Sequence, residues 1–163
     1  MKYYAGVGSR ETPQDALKTM WKIGRYLAYK GYTLRSGGAR GADAAFENGC
    51  DSVMGSKEIF YANNNKGTLM LAEAIPIAEQ MAASVHPAWD RCNTYVRKLQ
   101  TRNMAQVLGA DLKHPVDFSV CWTKSGKKIG GTSTAISIAE MNNIHVFNLY
   151  FESDLQKLRE LVF

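Results

Sequence analysis

The chain has 163 residues, of which 45% are apolar and 21% charged, and a net charge of +5 at pH 7. That length suits one domain spanning residues 1–163 with a full hydrophobic core, and no apolar stretch approaches the roughly 20 residues a membrane span needs. The three cysteines, Cys50, Cys92 and Cys121, are too scattered for a disulfide framework or a CxxC metal site.

With Met-Lys-Tyr-Tyr at the start offering no signal-peptide core, a reducing cytoplasm is the expected setting. The mild positive balance points to anionic ligands without requiring nucleic acid.

Strand and helix signals alternate along the chain. Lys2 to Val7 reads as a first strand. Thr12 is a candidate cap and Pro13 a first-turn proline for a helix reaching about Tyr29, with Leu17, Met20, Trp21 and Leu27 on its apolar side. Gly31 stops it. Tyr32 to Leu34 is a second strand, Arg40 to about Asn48 a helix ended by Gly49, and Glu58 to Tyr61 a third strand followed by the turn cluster 63–67. Thr68 to Ser84 has helical composition that Pro76 must kink or divide.

His86-Pro87-Ala88-Trp89 interrupts before a long helix from about Cys92 to Leu108, closed by Gly109. Val116 to Trp122 is apolar enough for an interior fourth strand. The loop 123–131 leads to a helix from about Thr132 to Met141, Ile144 to Leu149 is a fifth strand, and Ser153 caps a final helix. This alternation predicts an α/β fold: a Rossmann-like, doubly wound, mainly parallel sheet of about five strands flanked by helices, with right-handed crossovers.

Three glycine-rich turns follow apolar runs, and each carries a cation: residues 5–10 with Gly6, Gly8, Ser9 and Arg10; residues 35–43 with Ser36, Gly37, Gly38, Arg40, Gly41 and Asp43; and residues 127–134 with Gly130, Gly131, Thr132, Ser133 and Thr134. In an open parallel sheet such turns fall at the carboxyl ends of strands, where ligands bind. Glycine lets backbone N–H groups approach an oxygen closely, and a helix starting just afterwards adds a positive dipole end. Three of them together argue for a site that grips phosphate.

These strings, with Arg102-Asn103, resemble the SLOG superfamily of Rossmann-like domains over about residues 3 to 148. The closest likeness is to the DNA-processing protein A (Smf) family. The superfamily implies a nucleotide or nucleic-acid phosphate at the carboxyl edge of the sheet, a site role for Arg102 and Asn103, and frequent assembly into a homodimer or higher homo-oligomer, for which the apolar segment 69–81 offers a face. The chain is also similar to the Lonely Guy phosphoribohydrolases, whose signature is Pro-Gly-Gly-x-Gly-Thr-x-x-Glu with a catalytic glutamate. Aligning Gly130 and Gly131 with that glycine pair puts Ile129 at the proline, Ser133 at the third glycine, Thr134 at the threonine and Ser137 at the glutamate. Glu140, one helical turn on, and Glu47, after the second glycine turn, are then the candidate catalytic carboxylates.

Each singled-out residue also has a plainer reading. Arg40 is either a phosphate ligand near a helix start or a solvated arginine paired with Asp43. Asp43 is either a structural cap or an acceptor for a ribose hydroxyl. Ser9 and Arg10 form an ordinary tight turn or a phosphate grip. One of Thr132, Ser133 and Thr134 serves as a helix cap, and three in a row exceed that need. Lys124, Lys127 and Lys128 mark either a solvated flexible loop or, by their place beside the pocket, a lid or backbone-binding element. Arg97 and Lys98 read as a solvated basic face, while His86, Trp89 and Tyr95 are loop anchors or a wall for stacking a base.

No cofactor and no metal is implied. The function these residues lead to is binding of a nucleotide-like small molecule, with N-glycosidic hydrolysis as the reaction to expect of an enzyme. The alternative is binding of single-stranded DNA, which needs a continuous basic and aromatic surface.

Overall fold

The computed structural model describes residues 1–63 and 65–163. Asn64, inside the expected turn cluster, lies outside the described residues. The strands are β1 (Lys2–Gly6), β2 (Tyr32–Ser36), β3 (Lys57–Ile59), β4 (Phe118–Cys121) and β5 (His145–Asn148). The helices are α1 (Gln14–Tyr29), α2 (Ala42–Asp51), α3 (Ile75–Val85), α4 (Thr94–Leu108), α5 (Ser133–Met141) and α6 (Glu152–Val162). All strand pairs are parallel, in the order β3-β2-β1-β4-β5.

Side-chain alternation in β1 divides the core. Tyr4 faces a cluster with Met20 and Leu27 of α1, Phe46 of α2 and Leu158 of α6. Ala5 faces the opposite cluster, with Ala78 and Ala82 of α3, Met104 and Val107 of α4, and Ile138 of α5. Helices therefore cover both sheet faces, as a parallel sheet requires. The order places β1 in the middle, with the chain running outward to β2 and β3 and then returning to β4 and β5. The carboxyl ends of β1 and β4 flank the switch point, where open α/β sheets bind ligands. Among the described residues no helix is long and apolar enough to cross a membrane.

Local details depart from the sequence expectations in five places, two of them at glycine and serine signals: Gly49 does not end α2, which runs through it to Asp51, and Ser153 does not cap α6, whose cap position is Phe151. Thr12 does not cap α1: Pro13 occupies the cap position, and the buried Thr12 hydroxyl donates to the carbonyl of Ser9 at 2.6 Å. Pro76 does not kink a helix but sits in the first turn of α3, where its missing N–H costs nothing. Arg40 precedes α2 rather than belonging to its first turn, because Gly41 holds the cap position at φ 85° and the helix begins at Ala42. The expected β4 is interior, hydrogen-bonded to β1 and β5 and buried along its length.

Candidate functional site at the carboxyl edge of the sheet

A cleft of about 610 Å³ opens over the carboxyl ends of β1 and β4. Its walls come from the first glycine turn (Gly8, Ser9, Arg10 and Glu11), the second (Ala39 and Asp43), the third (Gly130, Gly131 and Thr132) and one side of α4. Separate points in sequence thus converge on one cavity.

Helix α4 holds the turns in place. Between Leu99 and Ala110 its sequence carries a single charge, Arg102. Gln100, Arg102, Asn103 and Gln106 are all buried there. Arg102, 8% exposed, donates from Nη1 to the carbonyls of Gly37 and Phe60, the latter at 2.7 Å, and so grips the ends of β2 and β3. Asn103 Nδ2 donates to the Gly131 carbonyl at 2.9 Å and to the Thr134 hydroxyl at 3.1 Å. Thr134, fully buried, in turn donates to Oε1 of Gln100. Gln106 donates to Oδ1 of Asn103 at 3.3 Å. Neighbouring residues of one helix thereby fix two glycine turns through a network whose side chains, Gln100, Arg102, Asn103, Gln106 and Thr134, are all buried.

Charge at the cleft is mixed. Asp43, 5% exposed, accepts the N–H of Ala39 at 3.2 Å and a second bond from the backbone of Gly37. Burial pushes its carboxyl up to about 6, against the opposing pull of Arg102 and these two N–H groups. Burial likewise pushes the Arg102 guanidinium down, with Asp43 resisting and Arg10 adding to the fall. Arg10 is thus close enough for two cations to repel across the cleft. The Nε of Arg102 is buried without an acceptor, a state that costs about 1–3 kcal/mol for a donor in a folded protein.

Of the residues singled out in the sequence, Gly8, Ser9, Arg10, Asp43, Arg102, Asn103, Gly130, Gly131 and Thr132 line this cleft. Ser36, Gly37, Gly38 and Gly41 build the second turn behind it. The Ser36 hydroxyl donates to the Gly6 carbonyl at 2.6 Å, tying β2 to β1. Ser9 Oγ is committed to its own turn, accepting from the N–H of Glu11 at 2.9 Å. Ser133 opens α5 half-buried, and Thr134 is sealed in the network.

Arg40 is exposed, is not part of the cleft wall, and makes no ion pair among the described residues, with Asp43 or any other acid. Glu47 and Glu140 are also elsewhere: Glu47 pairs with Lys57 at 2.7 Å and Glu140 with Lys128 at 2.9 Å. The carboxylates that do line the cleft are Glu11 and Asp43. Tyr95 lines it too, whereas His86 and Trp89 pack edge to face on each other, with Arg97 over the Trp89 ring at 5.1 Å.

Sequence reasoning missed Glu11, Gln100 and Gln106. The stretch of α4 with a single charge was the available signal for a buried face; nothing local marked Glu11. Comparison with protein-family models finds no match to this chain, and neither a curated protein nor a solved structure matches it.

Proposed function

We propose that the cleft binds the phosphate end of a nucleotide-like small molecule. The observation that carries this is the convergence of three glycine turns and the buried Arg102 on one cavity at the switch point of the sheet. Phosphate oxygens would meet the bare amides of the Gly130–Gly131 turn at the start of α5, where the helix dipole favours an anion. Arg10 and Arg102 would balance the charge, the first by direct bidentate contact from the open side and the second from below.

The cleft volume falls in the range typical of small-molecule sites, about 300–1,000 Å³. Turnover is a lesser part of this reading. Glu47 and Glu140 stand away from the cleft in surface ion pairs, so neither is placed for acid–base work on a ligand held there. Asp43, at about 6, is the carboxyl with a suitable proton affinity, and it is already occupied by two backbone N–H groups. Slow or absent N-glycosidic cleavage is the expected outcome.

Titration calorimetry with adenosine 5′-monophosphate tests the reading. Arg10→Ala should weaken binding at least tenfold, or about 1.4 kcal/mol, while Arg40→Ala, outside the cleft, should bind as the native chain does. Binding sensitive to Arg40 and indifferent to Arg10 overturns the proposal. So does tight, length-dependent and steeply salt-dependent binding of oligonucleotides with no mononucleotide binding.

A further inference from the structure

Arg102 also forms part of the wall of a second cavity, about 430 Å³, between the chain following β3 and the start of α4. Its lining is of three kinds. Phe60, Tyr61, Met70 and Ile75 present apolar surface, Glu79, Thr94 and Thr101 present polar edges, and Arg97, Lys98 and Arg102 bring positive charge. We infer that this second cavity takes the flat aromatic base of the nucleotide whose phosphate occupies the glycine-turn cleft, an inference that rests on the proposed function above.

The Tyr61 ring is held in advance of any ligand. It lies against two glycines, Gly38 and Gly67: a Cβ at Gly67 would fall 2.6 Å from the ring, and one at Gly38 would also collide with it. The ammonium of Lys66 sits 4.2 Å from its centroid. Bare backbone on two sides and a cation over the ring fix an aromatic surface at low entropic cost to a stacking partner. The adjacent Phe60 is buried, and its carbonyl is the one Arg102 grips.

One side chain therefore sets the spacing between the two cavities: Arg102 binds the turn behind the phosphate cleft through Gly37 and the rim of the aromatic cavity through Phe60. The polar edges complete the fit. Glu79 supplies an acceptor and Thr94 a hydroxyl that both donates and accepts, the groups needed by ring nitrogens and exocyclic amines. Arg97 is less available, since its guanidinium is already bonded to the carbonyl of Trp89 at 3.1 Å. The apolar surface of Phe60, Tyr61, Met70 and Ile75 suits this cavity to a flat ring, with the cation of Lys98 and the carboxylate of Glu79 at its polar edge.

The test compares adenosine 5′-monophosphate, ribose 5-phosphate and adenosine by titration calorimetry on the full chain. Thr94 is exposed and lines the second cavity but not the first, so Thr94→Trp fills the one and spares the other. The native chain should bind adenosine 5′-monophosphate at least tenfold tighter than ribose 5-phosphate. Thr94→Trp should erase that advantage and leave ribose 5-phosphate affinity unchanged. Tyr61→Ala, checked for an unaltered melting temperature, should do the same.

Equal affinity of the native chain for the two phosphates, or an advantage surviving both variants, overturns the base cavity and leaves the phosphate reading standing. Adenosine binding that Thr94→Trp abolishes, with no binding of ribose 5-phosphate, supports the base cavity and removes the phosphate reading. Failure of all three ligands to bind overturns both.

Discussion

A Cβ added at Gly37 would fall within the Arg102 guanidinium and 2.7 Å from Nε2 of Gln106, whereas at Gly131 nothing lies within 4 Å. Both residues belong to paired glycines just ahead of a helix at the carboxyl edge of the sheet. After β2 the pairing is forced by packing: side chains from α4 and the loop after β3 occupy the space a Cβ needs, and the turn is a foundation. After β4 the pairing leaves amides uncovered on an exposed turn that is held only from behind, by Asn103. The same sequence signature thus marks a structural requirement in one turn and an open contact surface in the other.

The sharpest way to break this comparison is alanine at each glycine. Gly37→Ala should destabilise the fold by about 4 kcal/mol, combining overpacking with displacement of a buried guanidinium from its acceptors. Gly131→Ala should stay within about 0.5 kcal/mol of the native chain and weaken nucleotide binding instead. Chemical denaturation of the two variants measures the difference; equal losses at both positions would erase the distinction.

Asp43 ties the second turn to the cleft, and its titration sharpens the contrast. Burial raises its carboxyl from 3.8 to about 6 in the folded state, so folding favours the neutral acid. The stability this contributes is full below pH 3.8 and is lost as pH rises through 6. A raise of about two units corresponds to roughly 3 kcal/mol. Asp43→Asn keeps the acceptor for Ala39 and removes the titration. The stability difference between native chain and variant should therefore change by about that amount between pH 4 and 7 in guanidinium denaturation, the native chain losing ground as pH rises. A difference that stays flat over this range would mean that Asp43 keeps an ordinary carboxyl.

A smaller effect is expected where the third turn is supported. Asn103→Ala leaves the carbonyl of Gly131 and the hydroxyl of Thr134 without the Asn103 donor, at a cost of about 2 kcal/mol. It should also speed amide hydrogen exchange in the turn at Gly130–Thr132 while leaving exchange in β2 as it was. The least effect belongs to Glu140→Gln. Its pair with Lys128 is about half exposed, and such pairs contribute about 0–1 kcal/mol at most. Ligand affinity should not change, and any base release that is found should continue at the native rate.

Much of the fold was legible because its signals are local. Gly31 and Gly109 end helices where the sequence places them, the alternating apolar runs become the five strands, and the glycine turns fall at strand ends. The departures have equally definite causes. Thr12 reads as a cap until its hydroxyl is seen folded back onto Ser9, three residues earlier. Arg40 reads as a ligand only while the helix is taken to begin there; with Gly41 at the cap position, the arginine stands on the outside of the turn. The Arg102-Asn103 pair was singled out, but its division of labour, one residue for each glycine turn, depends on where α4 lies between them.

The sequence by itself determined the order of strands and helices along the chain and put a glycine turn in the loops that follow β1, β2 and β4, because periodicity and glycine–proline punctuation act over a few neighbouring residues. Which charges face the cleft was a tertiary matter. Arg10, Glu11, Asp43 and Arg102 meet there while Arg40, Glu47 and Glu140 do not, since a side chain's direction follows from the exact residue at which its helix starts and from what packs behind it. The second cavity is likewise a product of packing alone: α3 and α4 have to pack on one face of the sheet before Tyr61 and Arg102, far apart in the chain, share a wall.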